Sequence, residues 1–279
     1  MHIIIIDVGR FGTFLPPVPE ISRRPRPAPG GGMPFPRYEG EIPYLTTEQM
    51  VAVDRAMVED YRIQLVQMME HAGGNLARVA GQRFLEGDPR GKRVAVLAGS
   101  GGNGGGALVC ARHLHNRGAR VDVSLTREEG QLKPVPAHQL EILHRMKVPI
   151  FDSPPAAPGQ RPLRLIIDGI VGYSLKGAPQ GTAATLIRWA NGQDVPILAL
   201  DVPSGIDAET GTVFDPAMRA TATMTLALPK QGLRASAARE YVGELYLADI
   251  GVPPELYAGL DPPVRVEPIF STSEILRLR

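Results

Sequence analysis

The sequence holds one cysteine, Cys110, in 279 residues, so no intrachain disulfide can form and no zinc site of paired cysteines can be built. A disulfide-stapled secreted scaffold is excluded, and a reducing, cytoplasmic setting fits. The histidines lack zinc-ligand spacing such as H-E-x-x-H. Charge of one sign is missing as well: 30 Lys and Arg stand against 29 Asp and Glu, a formal net charge of +1. That balance exerts no pull toward nucleic acid or an anionic membrane, so any charged ligand must be held locally. No apolar run approaches the ~20 residues that span a bilayer. The block Ile3 to Ile6 is too short, and lacks the basic start, of a secretory signal. The expected partner is a small molecule, with no nucleic acid and no membrane.

What is present is a composition 43% hydrophobic, enough to fill a substantial core at this length. Between Gly9 and Tyr44, prolines, arginines (Arg23, Arg24, Arg26) and a run of glycines stand where a core needs apolar periodicity. Residues 1–44 are therefore expected to be an extended or disordered arm, and residues 45–279 a single domain. Order is expected from Thr46, which caps a helix with Gln49 at capping-box spacing. Leu65, Met68, Met69, Ala72, Leu76 and Val79 recur at helical spacing. The Gly73-Gly74 pair inside that helix costs about 1 kcal/mol per glycine relative to alanine, which close packing against another backbone explains.

Strands are predicted at 93–98, 121–125, 148–151, 163–168, 197–201, 223–227 and 244–249, with helices at 108–117, 137–146 and 180–191. Pro154 to Gly159 reads as a loop, and the Pro-Pro pairs after Asp249 break regular structure. Strands alternating with helices at this spacing indicate parallel βαβ units in an open three-layer sheet. Ligands bind such sheets at the carboxyl ends of the strands.

Three strand ends carry chemistry-bearing residues. Gly99-Ser100-Gly101-Gly102-Asn103-Gly104 satisfies G-x-G-x-x-G between a strand and a helix, the arrangement that turns backbone N–H groups and a helix N-terminus toward an anion. The acidic residue of a dinucleotide fingerprint is missing after the second strand, where Leu125 is followed by Thr126 and Arg127. Asp168 precedes Gly169 and Gly172, and Asp201 precedes Pro203-Ser204-Gly205. A single such aspartate reads as a turn cap. Two at adjacent strand ends point to carboxylates acting as acid, base or cation ligand in a shared crevice. Lys176, in the loop Tyr173 to Gly177, is either a phosphate contact or a solvated loop lysine. Cys110 reads as a small core residue and Asp207 as structural.

Together these motifs resemble the NAD(P)H-hydrate epimerase family, also called the YjeF N-terminal domain family, over about Leu45 to Ile250. Met69-Glu70-His71-Ala72-Gly73 resembles its Met-Glu-Asn-Ala-Gly helix, and the glycine stretch its Gly-Pro-Gly-Asn-Asn-Gly-Gly-Asp-Gly segment. Asp168 to Leu175 resembles Asp-Ala-Leu-Phe-Gly-Thr-Gly-Leu, and Asp201 to Gly211 resembles Asp-Ile-Pro-Ser-Gly-Leu-Asp-Ala-Asp-Thr-Gly.

The resemblance implies a Rossmann-like αβα fold with a mostly parallel sheet. It further implies interconversion of the R and S forms of hydrated NADH or NADPH (NADHX and NADPHX), a bound potassium ion, and a homodimer. By motif position, Asn103, Asp168 and Ser204 would hold the potassium. Gly102, Asn103, Gly104, Gly105 and Gly106 would line the substrate site together with Gly172, Tyr173, Ser174, Leu175, Lys176, Gly177, Ala178 and Asp201. Asp201 is the expected acid–base residue. A separate dehydratase domain is not expected after Arg279. The chain departs from the family pattern at Gly102, Gly106, Ala107, His71 and Tyr173-Ser174. Lost hydrogen bonds in the substrate loop, each worth about 0.5–3 kcal/mol, predict weakened binding. The rival expectation is a non-catalytic nucleotide-binding or protein-interaction module on the same scaffold.

Overall fold

The computed structural model describes residues 35–155 and 162–279. An eight-stranded sheet forms its centre: β1 (Arg93–Ala98), β2 (Arg120–Leu125), β3 (Ile150–Phe151), β4 (Leu163–Gly169), β5 (Ile197–Leu200), β6 (Ala222–Leu226), β7 (Glu244–Ala248) and β8 (Ile275–Arg277), in the order 3-2-1-4-5-6-7-8. Neighbouring strands are parallel throughout except β8, which runs antiparallel to β7. Burial of both faces explains why these strands read as continuous apolar runs. Along β1, Val94, Val96 and Ala98 enter the core on one face, and Ala95 and Leu97 enter it on the other.

Helices cover both faces. Leu76 of α2 (Leu65–Val79), Leu108 of α3 (Gly102–Asn116) and Leu143 of α4 (Pro134–Arg145) pack with Val94 and Val96. Leu186 and Ile187 of α5 (Gly181–Asn191) pack with Ala95 and Leu97. The result is a Rossmann-like αβα sandwich, as the sequence pattern predicts. The chain winds from β1 out to β2 and β3, then returns to lay β4 on the other side of β1. Reversal between β1 and β4 opens a crevice above their carboxyl ends, at Ala98-Gly99 and Asp168-Gly169.

Ahead of the sheet, α1 (Thr47–Glu59) starts with the predicted capping box: Gln49 N–H donates to Thr46 Oγ1 and Thr46 N–H to Gln49 Oε1, both at 3.0 Å. Gly73 is required by the packing of α2 on α3, because a Cβ there would lie 2.4 Å from Val109 Cβ and 2.5 Å from the Gly106 carbonyl oxygen. Gly74 has no such constraint, its nearest neighbour being 3.7 Å away.

The structure corrects two expectations. The glycine stretch is not a loop leading to a helix at Leu108; α3 begins at Gly102, and the glycines form its first turns. A Cβ on Gly104 would sit 1.8 Å from the Gly99 carbonyl oxygen, so close backbone packing overrides the low helix propensity of glycine. The proline-rich C-terminal region also returns to the sheet as β8, a strand of three residues too short to show periodicity.

Of the arm expected over 1–44, residues 1–34 lie outside the described residues, as does 156–159 of the expected loop. Residues 35–44 lie against the sheet edge: Tyr38 N–H donates to the Arg277 carbonyl at 2.9 Å, and Arg277 N–H to that of Pro36 at 2.8 Å. Phe35 is buried edge-on against Tyr246, ring centroids 5.6 Å apart. Alongside them, the short helices α6 (Arg239–Val242) and α7 (Pro254–Ala258) flank β7 in sequence.

Candidate active site

Two adjoining cavities open at the switch point. One, of about 280 Å³, is bounded by Met50 and Asp54 of α1, Met68 and Met69 of α2, and Asp201 and Lys230 at the strand ends. The other, an open groove of about 820 Å³, carries Arg127, Lys133 and Lys176 on its walls. Gly102, Asn103, Lys133, Gly172 and Ser174 border both. A mostly apolar chamber thus leads into a cationic groove, a shape suited to an elongated ligand with an apolar ring at one end and anionic groups at the other.

The groove faces two helix N-termini. In α3 the first intrahelical bond is Gly105 N–H to the Gly101 carbonyl at 3.0 Å, so the N–H groups of Gly102, Asn103 and Gly104 precede it and lack helical acceptors. Gln180, Gly181 and Thr182, at the start of α5, line the same groove. Both dipoles favour an anion there.

At the base of the smaller cavity, Asp201 follows β5 in a left-handed conformation, φ 68°, which strand residues avoid and aspartate tolerates. Its Oδ1 accepts from Lys230 Nζ, and its Oδ2 accepts the Tyr173 N–H at 3.3 Å. Lys230 is wholly buried and also donates to the Leu226 carbonyl at 2.9 Å. Thr225 Oγ1, 3.4 Å from both Asp201 Oδ1 and Lys230 Nζ, closes the cluster.

Asp168 lies deeper and makes a different site. Its Oδ1 accepts from Ser204 Oγ at 2.6 Å and Ile170 N–H at 3.2 Å, and its Oδ2 from Ser204 N–H at 2.8 Å. Among the described residues no cationic side chain pairs with it. Complete burial pushes its carboxyl up to about 6 although the Ser204 and Ile170 hydrogen bonds oppose the shift. The Asn103 amide lies on the Asp201 side: a Cβ on Gly172 would stand 3.1 Å from Asn103 Oδ1 and 2.9 Å from Asp201 Oδ2, and Asn103 Nδ2 is buried without a partner.

The expected site residues therefore separate into groups. Gly102, Asn103, Gly106, Gly172, Tyr173, Ser174 and Asp201 face the smaller cavity. Leu175, Lys176 and Ala178 face the groove. Gly104 and Gly105 are turned inward, against Gly99 and against Met69 and Pro136, while Gly177 is an exposed turn residue at φ 82°. Asp168 and Ser204 are fully buried, bonded to each other, and line neither cavity. Cys110 is buried in the core, where desolvation pushes its thiol far up, away from nucleophilic use.

Lys230 and Asp54 are cavity residues that motif reading passed over. Lys230 follows the apolar run Leu226-Ala227-Leu228-Pro229, which starts at the last residue of β6, an unusual place for a solvated lysine. Asp54 lies one turn beyond Met50 on the apolar face of α1, and Met50 and Met57 are both buried. Each signal is one polar residue on an apolar surface.

Comparisons with known proteins show the family and the fold. A family model described as YjeF-related protein N-terminus matches residues 65–232. A protein of Dehalogenimonas lykanthroporepellens named NAD(P)H-hydrate epimerase is 43% identical over 230 residues, 81% of this chain and 90% of that one. A Salinibacter ruber protein named bifunctional NAD(P)H-hydrate repair enzyme Nnr is 36% identical, and this chain spans 41% of its length. The crystal structure of the yeast protein ynu0, YNL200c, superposes with a TM-score of 0.67 at 26% identity, covering 85% of this chain and all of that one.

Proposed function

This chain belongs to the YjeF-related N-terminal family, and we propose that it is an NAD(P)H-hydrate epimerase interconverting the R and S forms of NADHX and NADPHX. The observation that carries the reading is the Asp201 carboxylate, buried against Lys230 at the base of an apolar chamber that opens directly into a cationic groove facing two helix N-termini. The hydrated nicotinamide ring would enter the chamber, and the pyrophosphate would lie at the start of α3 near Lys133.

The chemistry needs no redox step. The ring nitrogen lone pair expels the neighbouring hydroxyl, a proton is supplied as the C–O bond breaks, and water leaves an iminium ion behind. Water then adds to the opposite face and gives up a proton. Asp201 is the residue proposed to move that proton, with Lys230 and Tyr173 N–H orienting its two oxygens.

Asp168, Ser204 and Asn103 are the proposed potassium ligands, and their chemistry fits a monovalent cation. They offer hard oxygens: a buried carboxylate without a cationic side-chain partner among the described residues, the Ser204 hydroxyl bonded to it, and the Asn103 amide oxygen. Potassium there would neutralise Asp168 and fix the ends of β4 and β5. A cytoplasmic homodimer completes the proposal, supported by the exposed apolar side chains Val51, Tyr61 and Leu65 on and beside α1 and α2. No helix of the described residues is long and apolar enough to cross a membrane.

Incubation with R-NADHX, with separation of the two diastereomers by chromatography, tests the activity. The chain should speed equilibration well beyond the spontaneous rate, and Asp201→Asn should return it to that rate. No acceleration, with or without potassium, overturns the proposal.

A further inference from the structure

Asp201 is not the only carboxyl in the smaller cavity. Asp54 enters it from α1, and its Oδ2 accepts the hydroxyl of Tyr173. The same Tyr173 donates its backbone N–H to Asp201 Oδ2 at 3.3 Å. One tyrosine therefore links the two carboxyls, its backbone N–H on one and its hydroxyl on the other. Inversion at a single carbon requires proton transfer on both faces of a flat ring, one where water leaves and one where it returns.

We propose that Asp54 is the second catalytic carboxyl, serving the ring face opposite Asp201. The assignment rests on the epimerase reading. In one direction, Asp54 gives its proton to the leaving hydroxyl as the C–O bond breaks and the nitrogen lone pair becomes the C=N π bond. Water attacks the face toward Asp201, its lone pair forms the new C–O bond, and the π pair returns to nitrogen. The surplus proton passes to the Asp201 carboxylate. The reverse direction exchanges the two roles; one proton has crossed from carboxyl to carboxyl, and solvent restores it. No oxidant or reductant enters.

The starting states suit this division. Asp201 Oδ1 is paired with Lys230 Nζ, and its Oδ2 accepts the Tyr173 N–H. Burial raises the Asp54 carboxyl above its ordinary value; the nearby Asp201 charge adds to that shift, while the Tyr173 hydroxyl and Lys230 oppose it. Two carboxyls thus line one cavity before substrate binds, one paired with Lys230 and the other with the Tyr173 hydroxyl.

Oxygen exchange separates a two-carboxyl site from a one-carboxyl site. R- and S-NADHX are each incubated with enzyme in H2 18O, and each recovered diastereomer is assayed for inversion and for label in its hydroxyl. With both carboxyls, both diastereomers invert and take up label. Asp54→Asn should lower inversion by about a hundredfold, the scale of one lost acid–base group. Exchange should continue in one diastereomer, whose hydroxyl leaves and returns on the Asp201 face, and stop in the other.

Tyr173→Phe keeps the ring and removes the link to Asp54; the same asymmetry should appear in weaker form. It also decides the question if Asp54→Asn fails to fold. Unchanged exchange in both diastereomers, or equal loss in both from a folded variant, overturns the assignment while leaving the epimerase reading intact. A wild-type chain that neither inverts nor exchanges either diastereomer overturns both.

Discussion

Lys230 Nζ and Asp201 Oδ1 meet in the interior as an ion pair with almost no solvent contact, one side chain from the segment after β6 and the other from the turn after β5. Loss of one partner leaves the other buried without a counter-charge, which costs about 3–5 kcal/mol. Lys230→Met should therefore lower the unfolding free energy by about 3 kcal/mol in a urea titration, and adding Asp201→Asn to the same chain should recover part of the loss. Strictly additive single effects would show that the two groups are not coupled.

The glycines that open α3 are not equivalent. A Cβ added to Gly102 would meet no atom within 4 Å, and the residue borders both cavities, so Gly102→Asn adds an amide at their shared mouth. It should lower KM for R-NADHX several-fold and leave stability unchanged or higher by a few tenths of a kcal/mol. Gly104→Ala would place its Cβ 1.8 Å from the Gly99 carbonyl oxygen and should cost about 3 kcal/mol or more through backbone displacement. Denaturant midpoints and KM values for the two variants, compared with wild type, check both claims.

Potassium held by Asp168, Ser204 and Asn103 should stabilise the folded chain by mass action, about 2.7 kcal/mol at a hundred times its dissociation constant. In a chain of this size, Tm should rise by at least about 3 °C in potassium chloride relative to tetramethylammonium chloride at equal ionic strength. Asp168→Asn removes the anionic ligand and should abolish that difference. An undiminished potassium shift in the variant would place the ion elsewhere.

The parallel sheet and the positions of Asp168 and Asp201 were legible because both rest on local pattern: apolar runs of strand length, each ending in an aspartate followed within two residues by glycine or proline. The start of α3 was not, since a run of glycines reads as loop until the backbones that crowd it are known. Gly104 against Gly99, and Gly73 against Val109, are contacts that spacing along the chain does not reveal. Lys230 and Asp54 escaped for a related reason. Each belongs to no motif, and its chemistry comes from its partner, Asp201 for one and Tyr173 for the other. The packing of Phe35 on Tyr246 likewise depends on a strand, β7, far along the chain.

The adjacent glycines of α2 allow a paired test of close helix packing. At Gly73 a Cβ would overlap Val109 and the Gly106 carbonyl, whereas at Gly74 the nearest atom, His113 Nε2, is at ordinary contact distance, 3.7 Å. Gly73→Ala should destabilise by about 1–3 kcal/mol through overpacking, and it should also disturb activity because α3 carries Gly102 and Asn103. Gly74→Ala should stabilise by about 0.5–1 kcal/mol through helix propensity. Thermal melts that shift in the same direction for both would contradict the packing.

Arg83 and Glu244 tie the wider helical turn Ala80–Phe84, which continues α2, to the first residue of β7. The contact is two-pronged: Arg83 Nε donates to Oε2 at 3.0 Å and Nη2 to Oε1 at 2.7 Å, and Tyr246 Oη donates to Oε2 at 2.6 Å. Arg83 above all holds the Glu244 carboxyl below its ordinary value of 4.5; burial, next in size, opposes the shift, and the Tyr246 hydrogen bond adds to it. The unfolded chain therefore binds more protons than the folded one between the folded value and 4.5. The stabilisation is complete above about pH 4.5 and is lost as pH falls through the folded value. For a side chain about a quarter exposed, solvent screening limits it to roughly 1 kcal/mol. Glu244→Gln should accordingly lower Tm at pH 7 and converge with wild type as pH falls toward 3. A Tm difference that stays constant over that range would mean that the side chain acts through packing and neutral hydrogen bonds rather than through its charge.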